Sequence, residues 1–348
     1  MPLQVLNTTD FLALSLKGQI LDVRSPGEFL QGHIPGAASF PLFTDEERKI
    51  VGTLYKHEGR ETAIDKGLEL VGPKLANFVK HAREFNKPLF VHCWRGGMRS
   101  GSMAWLLSTA GMDVYTLKGG YKAYRKHVLS ELSKPYKLFV LGGRTGSGKT
   151  DVLLELKKNG EQVIDLEGMA HHKGSSFGSI HQPPQPTTEH FGNLLCEQLS
   201  LLDTSKYIWI EDESRMIGTV NIDEAFFNTL RKSPLVVLQV TDEYRLTRLA
   251  TDYGTAERKL LDQAFERIKK KLGGQHLNAA MEALNNGDLK LAAAVALRYY
   301  DKAYDFGLST KEAEVIWHFE PKVETIQAIG QELREFVQLH LDKWKKSG

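Results

Sequence analysis

Two short segments carry residue types that could bind anions and do chemistry on them. The first is His92-Cys93-Trp94-Arg95-Gly96-Gly97-Met98-Arg99-Ser100. A thiol here follows an apolar run and precedes two glycines and two arginines. The thiolate is the nucleophilic form of cysteine, and nearby cations and inward main-chain N–H groups favour it. Arg95 and Arg99 supply the charge, and Gly96 and Gly97 are read as permitting positive φ and close approach. The plain alternative is a buried structural cysteine, but glycines and arginines do not suit an apolar core.

The second segment, Gly143-Arg144-Thr145-Gly146-Ser147-Gly148-Lys149-Thr150, satisfies G-x-x-x-x-G-K-[ST] in full. In that pattern the loop N–H groups hold a diphosphate and Lys149 reaches across its oxygens, while Thr150 can ligate Mg2+. Ile208-Trp209-Ile210 then runs into Glu211-Asp212-Glu213, an apolar strand ending in acid. Asp212 is the expected second metal ligand, although residue types alone do not choose between it and Glu211. Mg2+ is the only cofactor expected, and no bound organic cofactor. What is attached to the phosphates stays open: ATP, GTP and a prenyl diphosphate all suit such a loop.

These segments need elements to hold them. Ile20 to Val23, Leu89 to His92 and Val114 to Leu117 read as buried strands, with a helix from about Ser100 to Ala110, which is an α/β layout. Ser133-Lys134-Pro135 breaks the pattern, and Leu138-Phe139-Val140-Leu141 leads into the phosphate loop, followed by a helix over Thr150 to Lys158. Val163 to Asp165, Tyr207 to Ile210 and Leu235 to Leu238 supply further strands. From Asp242 the pattern turns amphipathic, as in Ala256 to Leu272 and Leu289 to Tyr300, with Gly273-Gly274 and Asn285-Asn286-Gly287 as breaks. The expected domains are 1–133, 134–241 with a parallel sheet around the phosphate loop, and a helical 242–348.

With 348 residues, 41% hydrophobic and 25% charged, the chain is too long for one core. It has two cysteines, Cys93 and Cys196, in different expected domains, which argues against a disulfide framework. Cys196 lies among Leu194, Leu195 and Leu199 and reads as core. His171 and His172 are adjacent and have no cysteine partners, which does not suit a structural zinc. No membrane span is expected, and Met1-Pro2-Leu3-Gln4 lacks a basic n-region, so the cytoplasm is the expected compartment. A net charge of +2 does not by itself indicate nucleic acid, and Lys269-Lys270-Lys271 reads first as a solvated helix end.

Asp22-Val23-Arg24, Glu28-Phe29 and Gly32-His33-Ile34-Pro35-Gly36-Ala37, ahead of the Cys93 loop, resemble the rhodanese superfamily over about residues 5 to 130. In that superfamily the cysteine carries a sulfane sulfur, and the loop is commonly one residue shorter. Here it spans Cys-x5-Arg, wide enough to cup a tetrahedral anion as in the related cell-cycle phosphatases.

Over nearly the whole chain the order of the two loops resembles the tRNA 2-selenouridine synthase family. Leu166-Glu167-Gly168, His172-Lys173-Gly174-Ser175-Ser176-Phe177-Gly178, Glu211-Asp212-Glu213-Ser214-Arg215 and Tyr299-Tyr300-Asp301 add to it. The resemblance implies a rhodanese-like domain fused to a P-loop domain, acting on the wobble uridine of tRNAs for lysine, glutamate and glutamine. It implies geranylation of 2-thiouridine from geranyl diphosphate, then replacement of sulfur by selenium from selenophosphate through Cys93, with Arg99 on the phosphate portion. The implied partners are a tRNA anticodon stem-loop and a selenophosphate synthetase. Arg298-Tyr299-Tyr300 and Tyr244-Arg245 with Arg248 are candidate RNA contacts, though aromatic residues on such helices usually face a core. The competing functions are a nucleotide-dependent RNA sulfurtransferase, a Cys-dependent phosphatase and a non-catalytic RNA-binding module.

Overall fold

The computed structural model describes residues 4–347, so part of the start read for a leader lies outside the described residues. The chain divides into two compact units: 1–131 with 192–194, and 132–191 with 195–348.

In the first unit five parallel strands lie in the order Gln4–Leu6, Val114–Leu117, Leu89–His92, Gln19–Asp22, Ala38–Ser39. Leu21, Val23, Leu89 and Val91 are buried among Phe40, Met103, Ala104 and Leu107. Strands covered on both faces read as unbroken apolar runs, which is why the three central strands were visible in the sequence while the short, more exposed edge strands Gln4–Leu6 and Ala38–Ser39 were not. The helix after the cysteine loop, Met98–Thr109, starts two residues before the expected Ser100. Its first turn therefore includes Arg99 and Ser100.

The second unit holds a parallel sheet in the order Ile316–Phe319, Leu235–Leu238, Leu138–Gly143, Ile208–Glu211, Val163–Ile164. The first of these is a strand within 242–348, a region otherwise helical as read from the sequence. Ile316–Phe319 pairs in parallel with Leu235–Leu238, Leu235 opposite Ile316, so the C-terminal region completes the phosphate-loop sheet and forms no separate unit. A four-residue segment, Ile316-Trp317-His318-Phe319, cannot be told from a helix fragment by periodicity, and its partner lies far away in the chain.

The helix Ile326–Ser347 places Ile329, Leu333, Val337 and Leu341 on one stripe, spaced by four, against Phe139, Leu141, Val152 and Leu156. Fully burying one such aliphatic side chain is worth about 1.5–3 kcal/mol, so this last helix contributes heavily to the sheet's stability. The helices Arg258–Leu272, Gly274–Asn285 and Leu289–Ser309 form a second core with Phe177 and Ile180. The last of them runs well past the expected Tyr300. Among the described residues no helix is long and apolar enough to cross a membrane.

Candidate functional sites

Cys93 directly follows the strand Leu89–His92, and its residue is only 3% exposed. The N–H groups of Tyr121 and Lys122 donate to the carbonyls of Cys93 and Trp94 at 2.8 and 2.9 Å, fixing the loop's start. Gly96 has φ +66°, and a Cβ there would stand 2.6 Å from the Leu117 carbonyl oxygen, so glycine is required. Gly97 departs from expectation. It has φ −105° and open space where a side chain would go, and it precedes the helix Met98–Thr109 as its N-cap.

Burial opposes ionisation of the Cys93 thiol. It is outweighed by the Ser100 hydroxyl, the N–H groups of Ser100 and Gly97, and the charge of Arg99, which together hold the pKa below its ordinary value. Sγ and Ser100 Oγ are 3.3 Å apart. Arg99 donates from Nη1 to Glu28 Oε2 at 2.6 Å and from Nη2 to Glu28 Oε1 at 3.2 Å, while Arg95 is exposed. Ser100 and Glu28 were not singled out as site residues. An offset of two residues between helix and loop hid the first, and a separation of 71 residues hid the second.

The N-terminal motif residues support this loop from the neighbouring strand. Asp22 and Arg24 are buried; Arg24 Nε and Nη2 donate to the Asp22 carboxylate, and Nη2 also to the Gly32 carbonyl at 2.6 Å. Arg24 also lies 3.7 Å from the Tyr121 ring centroid. His92, opposite Asp22 in the sheet, has Nε2 at 3.8 Å from Asp22 Oδ2. Burial lowers the His92 pKa against the pull of Asp22, so the ring is neutral at pH 7.

In the second unit the phosphate loop joins the strand Leu138–Gly143 to the helix Lys149–Lys158, whose N-cap Gly148 is left-handed at φ 83°. The helix N-terminus, with its unpaired N–H groups and positive dipole end, faces the loop. Gly143, Thr145, Gly146, Ser147, Gly148, Lys149 and Thr150 line a cavity of about 680 Å³. Lys149 Nζ donates to the Gly143 carbonyl at 3.2 Å, and Ser147 Oγ is buried with no partner among the described residues. Arg144 instead pairs outward with Asp305, Nη2 to Oδ2 at 2.7 Å.

The acidic strand end separates into distinct roles. Asp212, expected on the metal, is held by Lys311. Glu211 is fully buried and accepts from the Leu166 N–H at 2.6 Å. The carboxylate on the Thr150 hydroxyl is Glu167, 2.9 Å away and from a different segment. Burial raises the Glu211 pKa well above the ordinary value, and Asp165, Glu167 and Glu213 add to the effect. Burial and Glu167 likewise raise that of Glu213, against Lys149.

Thr150 and Glu167 offer one hydroxyl and one carboxylate. Magnesium is often held by one or two carboxylates with substrate phosphates and water, so the residues fit that ion without Asp212. Among the described residues no cluster of three or more His, Cys, Asp or Glu could hold a metal by itself.

The candidate RNA contacts are divided as well. Arg245 is 2% exposed, donates to the Thr145 carbonyl at 2.9 Å and pairs with Asp301, so it braces the phosphate loop and is not available to RNA. Tyr300 lines the cavity, whereas Arg298 is exposed. Lys269, Lys270 and Lys271 form the last turn of their helix, where cations complement the dipole.

A cysteine loop on one parallel sheet and a phosphate loop on another define a rhodanese-like domain joined to a P-loop domain. The Rhodanese-like domain family matches residues 8–127, and the family described as tRNA 2-selenouridine synthase AAA domain matches residues 136–335. The tRNA 2-selenouridine synthase of Shewanella denitrificans is 35% identical, aligned over 90% of this chain and 95% of its own. That of Shewanella woodyi is 35% identical over 90% and 94%, and that of Psychromonas ingrahamii 34% over 86% and 90%. The chain belongs to the tRNA 2-selenouridine synthase family.

Proposed function

We propose that this chain is a cytoplasmic transferase that makes 2-selenouridine at wobble position 34 of the tRNAs for lysine, glutamate and glutamine. It first geranylates 2-thiouridine and then exchanges the S-geranyl group for selenium. The observation that carries this is a complete Cys-x5-Arg loop and a complete phosphate loop on one chain, aligned over most of its length with relatives of that name.

In the first step the thiocarbonyl sulfur attacks C1 of geranyl diphosphate. The S–C1 bond forms, the C1–O bond breaks, diphosphate leaves and the base N3 proton passes to solvent. Lys149 and the loop N–H groups stabilise charge gathering on the departing diphosphate. Mg2+, held by Thr150 and Glu167, would add Lewis-acid stabilisation there. S-alkylation turns the sulfur into a better leaving group at C2.

In the second step the Cys93 thiolate attacks phosphorus of selenophosphate, held by Arg99 and the loop N–H groups: the S–P bond forms, the P–Se bond breaks and hydrogen selenide leaves. Hydrogen selenide attacks C2, so that the C2–Se bond forms and geranylthiolate departs, while water hydrolyses the S–P bond to return the thiol and release phosphate. A selenophosphate synthetase is the partner that would hand over this donor, and the RNA element recognised is the anticodon stem-loop, whose single-stranded bases can splay outward.

The test is incubation of the protein with thiolated tRNA, geranyl diphosphate and selenophosphate, followed by mass spectrometry of the digested nucleosides. S-geranyl-2-thiouridine and then 2-selenouridine are the expected products. Neither nucleoside forming, with tRNA-stimulated ATP hydrolysis in their place, would sink the reading.

A further inference from the structure

An apolar pocket adjoins the phosphate-loop cavity in the second unit: Thr145, Ser175, Leu249, Tyr253 and Tyr300 line both. Thr145 belongs to the phosphate loop itself, so the mouth of the pocket lies next to the diphosphate position. Beyond the mouth stand Phe177, Phe265, Leu284, Leu289, Ala293 and Ala296. The hydroxyls of Thr145, Ser175, Tyr253 and Tyr300 are all at the mouth, and every lining side chain beyond it is hydrocarbon. A purine or pyrimidine would find almost no hydrogen-bonding partner there, and leaving its polar edge unpaired is costly. A hydrocarbon chain has no such need.

Resting on the geranylation reading above, the geometry points to this pocket as the seat of the far end of the prenyl chain, with Ala293 and Leu289 setting the chain length accepted. An occupant of both must carry an anionic head and an apolar tail, because the phosphate loop and the apolar recess share the wall formed by Thr145, Ser175, Leu249, Tyr253 and Tyr300. The open volume is about 50 Å³. A cavity of about 150 Å³ holds the six carbons of benzene, so the recess takes about two carbons, the branched tip of the terminal isoprene unit. The first isoprene unit then lies in the larger cavity beside the diphosphate and the base. Alanines at 292, 293 and 296 of the helix Leu289–Ser309 keep the recess open where larger side chains would fill it.

The test compares five-, ten- and fifteen-carbon prenyl diphosphates as donors to thiolated tRNA, reading ratios of kcat/KM so that a general loss of activity divides out. Ala293→Phe, at a partly exposed position, should lower the ten- over five-carbon ratio about a hundredfold. Leu289→Ala, which enlarges the recess, should raise the fifteen- over ten-carbon ratio about tenfold. Thermal unfolding confirms that each variant is folded, and either folded variant suffices for the test. Ratios unchanged from wild type overturn the assignment of the recess while leaving geranylation intact. No transfer of any of the three chains by the wild-type protein overturns the geranylation reading itself.

Discussion

Arg99 and Glu28, 71 residues apart, form a two-pronged ion pair, with the shorter N–O distance 2.6 Å. Glu28 is doubly engaged, because its Oε2 also accepts from the Ser25 N–H at 3.0 Å in the first turn of the helix Pro26–Gln31. Burial would raise the Glu28 pKa, but Arg99 first and Ser25 and Arg48 after it reverse this and keep the carboxylate ionised. The N-terminal motif thus holds in place the arginine that closes the cysteine loop.

Glu28→Gln tests that relationship, since glutamine can still accept from Ser25 but carries no charge for Arg99. Hydrogen bonds to charged groups are worth about 1.5–3 kcal/mol, so kcat/KM for selenation should fall about tenfold or more. Geranylation should not change. Equal losses in both steps, read from the nucleosides, would show that Glu28 acts on general stability.

The two loops should be separable. Cys93→Ser is expected to abolish selenation while S-geranyl product accumulates. Lys149→Ala should cut geranylation by about a hundredfold to a thousandfold through lost stabilisation of the departing diphosphate. Supplied geranylated RNA should still be selenated by the lysine variant. Selenouridine formed by Cys93→Ser at the wild-type rate would remove the thiol from the reaction.

The Cys93 thiolate should form at a lower pH than an ordinary thiol, because the Ser100 and Gly97 groups and Arg99 together outweigh burial. The difference in ultraviolet thiolate absorbance between wild type and Cys93→Ser isolates its titration from that of Cys196. Ser100→Ala and Arg99→Ala each remove a group that favours the anion, so each should move the midpoint upward. A midpoint unmoved by both would show that the loop does not activate the sulfur.

Glu211 gives a stability signature of the opposite sign. Its folded pKa lies above the unfolded value, near 4.5, so the native state keeps a proton that the unfolded chain releases. Its contribution is complete below that value and is lost as pH rises through the folded pKa, by about 1.4 kcal/mol for each pH unit between the two. Glu211→Gln cannot titrate and can still accept from the Leu166 N–H. Its Tm relative to wild type should climb as pH rises above about 4.5. Parallel Tm curves would reject the assignment.

The amino-acid order alone determined the two loops and most of the strands that carry them, since G-x-x-x-x-G-K-[ST] and Cys-x5-Arg are local patterns and doubly covered strands read as apolar runs. It also carried the likeness to the family. Only the tertiary structure decided which side chains meet across long separations: Arg99 with Glu28, Thr150 with Glu167, Asp212 with Lys311. It also brought Ile316–Phe319 onto the edge of the phosphate-loop sheet and opened an apolar recess beside the loop. Motifs are written by spacing along one segment. Partner choice among several nearby carboxylates, and the shape of an empty space between helices, arise only when distant segments pack together.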